Sequence, residues 1–245
     1  DAQESRGLGD VYKRQNDNLF FSRRIGKSPS RYPSLNQNEY SSQPANTTIL
    51  GAVKISGKTN NGWSIGLLES VTSDEFAKIS DGQNTRKELV EPQTNYLVAR
   101  VQKDYNNSNS YIGGIVTNTR RFNLDENLDF LHKNAFSAGI DFKHQWNNKD
   151  YFFDGKIVMS KVKGSKESIT RTQNSIVHLF QRVDADHVSV DENRTSLTGT
   201  GGTFTLGRQA GGNWTYNAGF DWYSPELELN DIGYLNQADN KIQAL

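Results

Sequence analysis

The amino-acid sequence predicts an all-β fold: antiparallel strands forming part of a transmembrane β-barrel, about eight strands of a larger barrel, with short periplasmic turns and long extracellular loops. Three observations predict it. Apolar and polar residues alternate strictly in segments of about ten residues, the connections between those segments are alternately short and long, and an otherwise polar chain is rich in aromatic residues and glycine.

On a pleated strand, alternation sends successive side chains to opposite faces. In chain order, alternating runs fall at 48–58, 62–72, 94–104, 110–120, 136–143, 151–162, 201–209 and 214–223. Two are the cleanest. Phe136, Ala138, Ile140 and Phe142 oppose Ser137, Gly139, Asp141 and Lys143, and Trp214, Tyr216, Ala218, Phe220 and Trp222 oppose Thr215, Asn217, Gly219, Asp221 and Tyr223. Most runs match the roughly 9–11 residues with which a tilted strand crosses a bilayer, against about 5–6 in an ordinary sheet.

The short links, at 59–61, 105–109, 146–150 and 210–212, carry the Asn and Gly that turns with positive φ require. Long polar segments at 23–47, 73–93, 121–134 and 163–200 separate the resulting hairpins. A β-like run at 175–182 reads as a hairpin within the last of these loops, because counting it as a membrane strand would put its successors on the wrong rims. Trp214 and Trp222 lie on the apolar face about 20 Å apart along the membrane normal, the spacing of two aromatic girdles.

Composition excludes several classes. The net charge is zero, with 28 basic and 28 acidic residues intermixed, so nothing favours nucleic acid. The absence of Cys removes disulfides, thiol nucleophiles and Cys-ligated zinc. Mean hydropathy is −0.75, and no apolar run approaches the ~18 residues of a membrane helix. Residues 1–15 show no periodicity and contain RGLGDVYKRQ, which reads as a non-native or disordered leader, leaving 16–245 as the barrel domain. Residues 18–22 read as the stub of an earlier strand, 226–239 as a mixed-polarity tail, and 240–245 lack an aromatic-ended final strand. The expectation is that the remainder of a longer parent chain closes the barrel, since lipid does not tolerate open sheet edges.

Long phrases carry a family resemblance: LFFSRRIGKSPS at 19–30, TTILGAVKISGKTNNGWSIG at 47–66, VEPQTNYLVARVQKDY at 90–105, LDFLHKNAFSAGIDFKHQW at 128–146, QRVDADHVSVDENRTSLTGTGG at 181–202 and SPELELNDIGYLNQAD at 224–239. These resemble the barrel region of the bacterial DUF5916 family, whose members often carry an N-terminal domain related to carbohydrate-binding module family 9. The resemblance implies a cell-surface protein of the bacterial outer membrane, with membrane lipid and glycans as partners. It supplies no catalytic motif.

Alternation turns Lys54, Arg100, Asp141, Lys143, Asn217 and Asp221 toward the lumen, where they could line a polar path or neutralise one another. Loop residues Asp184, Asp186, His187, Asp191, Glu192 and Asn193 form the densest polar cluster, and Asp184, Asp186 and Asp191 are the candidate ligands for calcium, although no EF-hand spacing is present. His132, His144, His178 and His187 occur singly, in no HExxH arrangement. The expected function is therefore non-enzymatic, in glycan or nutrient binding or uptake. Two alternatives stand beside it: a surface hydrolase using Asp184, Asp186 and Asp191 as acid and base, and a soluble lectin-like β-sandwich.

Overall fold

The computed structural model describes residues 18–239 and the backbone of 243–244. The leader expected at 1–15 and most of 240–245 lie outside the described residues. In chain order the elements are β1 (Tyr40–Ser42), β2 (Ile49–Lys58), β3 (Trp63–Thr72), β4 (Glu75–Ser80), β5 (Thr85–Glu91), β6 (Thr94–Tyr105), β7 (Ser110–Arg121), β8 (Asn134–Trp146), β9 (Tyr151–Lys163), α1 (Lys166–Gln173), β10 (Ser196–Arg208), β11 (Tyr216–Tyr223) and β12 (Gln243–Ala244).

Nine strands form one antiparallel sheet in the order β12-β11-β10-β9-β8-β7-β6-β3-β2. Eight of them are the strands predicted from alternation. The sheet is open among the described residues, with β2 and β12 at its edges and no closed barrel. No described helix is long and apolar enough to cross a membrane.

The tight turns follow from local chemistry. Asn106, Asn107 and Ser108 take positive φ between β6 and β7, and Asn147, Asn148 and Lys149 do so between β8 and β9. Asn tolerates this left-handed region better than most residues.

Four expectations need correction. The segment at 73–93 is not plain loop: β4 and β5 pair there and add β1 to make a separate three-stranded sheet, held outside by Arg86–Glu39 and Arg31–Glu88 ion pairs. The run at 175–182 is not a hairpin but a set of turns following α1, in which His178 and Leu179 both donate backbone N–H groups to Ser175 O. Trp214 is off the strand, because pairing ends at Arg208↔Tyr216 and Gly211 turns the chain at φ +77°. Residues 18–22 make no membrane strand: Asn18 bridges Tyr234, and the segment enters the core.

That core covers one face of the sheet. Tyr96, Val98, Ile115, Val158 and Tyr223 point into it, and Leu19, Leu227, Leu229, Ile232, Leu235 and Ala238 cover them. The chain after β11 therefore turns back across the sheet and fills this face. Gly199 on β10 permits the close approach, since a Cβ there would meet Leu227 N at 2.2 Å and Glu226 C at 2.4 Å. Helix α1 begins at Ser165, whose hydroxyl accepts from Ser168 N, and its Ile169 packs with Ala135, Val162 and Leu197 at the long-loop rim.

The opposite face is bare. Its middle carries Val53, Ile55, Ile65, Val101, Ile112, Val116, Ile140, Ile157, Met159, Leu206 and Phe220, all exposed, with Ile140 at 59%. At the short-turn rim the same face ends in Trp63, Tyr105, Trp146, Tyr151 and Tyr216, and at the long-loop rim in Glu69, Asn95, Asn118, Arg120, Lys161 and Lys163. Lys103 lies over the rings of Trp63 and Tyr105, and Arg208 over that of Tyr151. Polar ends on an apolar waist give this face its pattern.

Candidate functional site

Polar residues gather on the covered face in two places. In mid-sheet, Arg100 on β6 and Asp141 on β8 form a doubly hydrogen-bonded pair at 2.8 and 2.9 Å, with side chains 4% and 1% exposed. Such a buried pair satisfies itself, and its geometry matches the planar guanidinium fork to both carboxylate oxygens.

Of the six residues predicted to face the lumen, these two meet. By register Lys54, Lys143, Asn217 and Asp221 share their face. Lys54 is exposed on edge strand β2, Lys143 lies over the Phe152 ring at 5.6 Å, Asn217 is exposed, and Asp221 is half-buried.

The second cluster lies at the long-loop rim, where β7, the β7–β8 loop, α1 and the returning segment converge. Asp231 takes Arg121 Nη1 at 2.6 Å on one carboxylate oxygen and His132 Nδ1 at 2.7 Å on the other. Arg121 also donates to His132 O at 2.7 Å. His132 Nε2 stands 2.8 Å from Thr172 Oγ1, and the Thr172 hydroxyl donates to Ser168 O.

The acid–histidine–hydroxyl order superficially matches a nucleophile triad. Proton bookkeeping gives another role. With the Thr172 hydroxyl donating to Ser168 O, His132 Nε2 is its donor rather than its base, an arrangement that favours a charged ring donating at both nitrogens. Burial works against that charge, but the Asp231 carboxylate outweighs it and holds the His132 pKa above its usual value. Asp231 itself is pushed up by burial and pulled well below the usual carboxylate range by His132 and Arg121. Burial raises the nearby Glu228 carboxyl, and it lowers His178, whose Nε2 contacts Leu227 O, to about 4.

A cleft of about 410 Å³ opens beside this network, bounded by residues from 24–30, the β7–β8 loop, α1 and 228–231. Its cationic side chains are Arg24, Lys27, Arg121, His132 and Arg171. Burial lowers the pKa of Lys27, which pairs with the buried Glu91 at 3.4 Å. Sequence reasoning missed this cluster. His132 and Asp231 are 99 positions apart and Arg121 and Asp231 110, so no local motif marks them.

The candidate calcium ligands occupy a different place. Asp184 contacts Arg182 at 3.3 Å, Asp191 accepts from Asn193 N, and Asp186 and Asp191 line a separate cleft with His187, Arg194 and Glu226. Among the described residues, no three of His, Asp or Glu are grouped closely enough to hold a metal ion. Of the two Trp residues expected in girdles, Trp222 lies on the bare face in register with Ile157 and Ile140, stacked with Phe204 and Phe220, and Trp214 is 80% exposed in the β10–β11 connection. The aromatic row at the short-turn rim was legible only once strand ends were known.

A family model described as a domain of unknown function (DUF5916) matches residues 10–244. No curated protein and no solved structure matches the chain.

Proposed function

We propose that this chain, which belongs to the DUF5916 family, is wall and filling of a bacterial outer-membrane β-barrel that binds or takes up glycans or other nutrients at the cell surface. The observation that carries the membrane reading is the bare face. An apolar band of Ile, Val, Met and Phe runs across adjacent strands with none of the described residues over it, while the opposite face holds buried Arg100 and Asp141. A soluble sheet does not leave an apolar band of this extent to water.

Further support comes from the rims. Tyr and Trp with Lys and Arg beside them suit a membrane–water interface, where ring and cation each find a favourable depth. Strands of 12 or 13 residues in β6 to β10 are long enough to span a bilayer at a tilt. Closure needs the edges of β2 and β12 to be paired, and further strands of the parent chain are the proposed partners.

The glycan part of the proposal rests on the resemblance alone, since members of the family often carry an N-terminal domain related to carbohydrate-binding module family 9. The test has two stages. Fractionation of the full-length protein from a Gram-negative host should recover it in the outer membrane with gel mobility that shifts on boiling; a soluble, unshifted protein would overturn the barrel and favour a lectin-like sandwich. Equilibrium binding to a glycan panel then tests the ligand class, and binding to no member would remove it.

A further inference from the structure

We propose that the cleft at the long-loop rim is a binding site for an oxyanion group, the sulfate or phosphate ester or the carboxylate of a ligand arriving from the loop side. The charge arrangement of the cleft is the basis. Asp231 is shared by Arg121 and His132, and Glu91 serves Lys27. Arg24 and Arg171 have no carboxylate partner among the described residues.

Arg24 reaches only neutral acceptors, Gly233 O at 3.2 Å and Asn230 Oδ1 at 3.3 Å. Arg171 lies over the Phe130 ring with its guanidinium carbon 4.5 Å from the centroid, which leaves the N–H edge of the guanidinium unpaired. The one remaining carboxyl on the cleft, Glu228, is buried and turned to Asn230 N and toward His178 rather than to Arg24 or Arg171.

A second observation points the same way. Arg121, which lines the cleft and is 4% exposed, has a buried Nε with no hydrogen-bond partner. An unmade bond on a buried guanidinium is costly, and it adds to the uncompensated positive character of this wall of the cleft. The volume of about 410 Å³ accepts a group the size of a substituted sugar and falls in the usual range of small-ligand sites. Planar, forked guanidinium groups suit tetrahedral or planar oxyanions in particular.

This inference does not depend on the membrane reading. Its test is titration calorimetry of the purified full-length protein with inorganic sulfate, inorganic phosphate and acetate, each at constant ionic strength so that screening is held fixed. Saturable binding of at least one anion is expected, and which of the three binds most tightly identifies the source chemistry. Arg171→Gln and Arg24→Gln should each weaken it by about tenfold or more, the loss expected for one charge-assisted hydrogen bond. Arg171→Lys should recover part of the affinity, and Arg86→Gln, in the outer three-stranded sheet, should leave it unchanged. Absence of saturable binding for all three anions in the unaltered protein overturns the proposal. So does unchanged affinity in the Arg171→Gln variant, and because that side chain is exposed, weakened binding there is not an effect of unfolding.

Discussion

Arg100 and Asp141 stand two strands apart and join across β7, directly over Gly113. The glycine makes the bridge feasible: a Cβ there would lie 2.9 Å from Arg100 Nη2 and 3.1 Å from Asp141 Oδ1. Three adjacent strands are thereby tied together by one buried ion pair. Asp141→Ala should lower unfolding stability by about 3–5 kcal/mol, because it strands a buried guanidinium. Arg100→Met combined with Asp141→Leu should recover most of that loss. Denaturant unfolding of the unaltered protein, Asp141→Ala and the double variant measures both, and a double variant as unstable as Asp141→Ala would show that the pair does more than neutralise itself.

The bare face makes a prediction that separates lipid from water. Ile140 and Ile157 are 59% and 49% exposed, so in water Ile140→Lys and Ile157→Arg would cost almost nothing. In a bilayer a cation at mid-depth costs about 2–4 kcal/mol. Both variants should fold into membranes less efficiently, read as loss of the heat-shifted band, whereas Lys161→Arg near the rim should behave like the unaltered protein.

The returning segment after β11 sits against Gly199 by backbone, which cannot move aside as a flexible side chain can. Gly199→Val should lift it and uncover Leu227, Leu229, Ile232 and Leu235. Each buried leucine or isoleucine is worth about 1.5–3 kcal/mol. Limited proteolysis of the folded protein should then cut within 224–239, where the unaltered protein resists. Thr198→Val, one residue earlier and on the bare face, is the control.

Two buried histidines give stability opposite slopes with pH. His132 has a folded pKa above its ordinary 6.5, so its contribution is full below about pH 6.5 and is lost as pH rises through the raised value. His178 is held neutral with a folded pKa of about 4, so its contribution is full above about 6.5 and is lost as pH falls toward 4, by at most roughly 3 kcal/mol. Glu228, raised by burial, contributes fully below its ordinary carboxylate range and loses that contribution as pH rises through its raised value, against the trend of His178. Unfolding midpoints should therefore peak near neutral pH. His132→Gln should make the alkaline side shallower, and His178→Asn the acid side; a flat profile in the unaltered protein would contradict both assignments.

Eight strands of the large sheet were legible in the sequence because each is specified by neighbours. Alternation needs only residues two apart, and the turns at 106–109 and 147–150 declare themselves through Asn. Arg100 and Asp141 were placed on the same side for that reason, though not as partners, since pairing across β7 depends on strand register and on Gly113. Where local pattern misled, a longer-range constraint prevailed. The run at 175–182 alternates as a strand would, yet His178 and Phe180 are buried, and Val177 and Leu179 half-buried, by turns that follow α1.

The sequence by itself determined the strands, which of their faces is apolar, and the alternation of short and long connections, since period and turn chemistry act over a few residues. Tertiary structure alone decided that the chain after β11 returns to cover the polar face, that Leu19 joins it there, and that Arg121, His132, Thr172 and Asp231 meet beside one cleft. The side-chain contacts of Arg121, His132, Thr172 and Asp231 with one another reach across as many as 110 residues and those near Leu19 across more than 200, and what selects them is the shape and unsatisfied polarity of a surface that exists only after the sheet has formed.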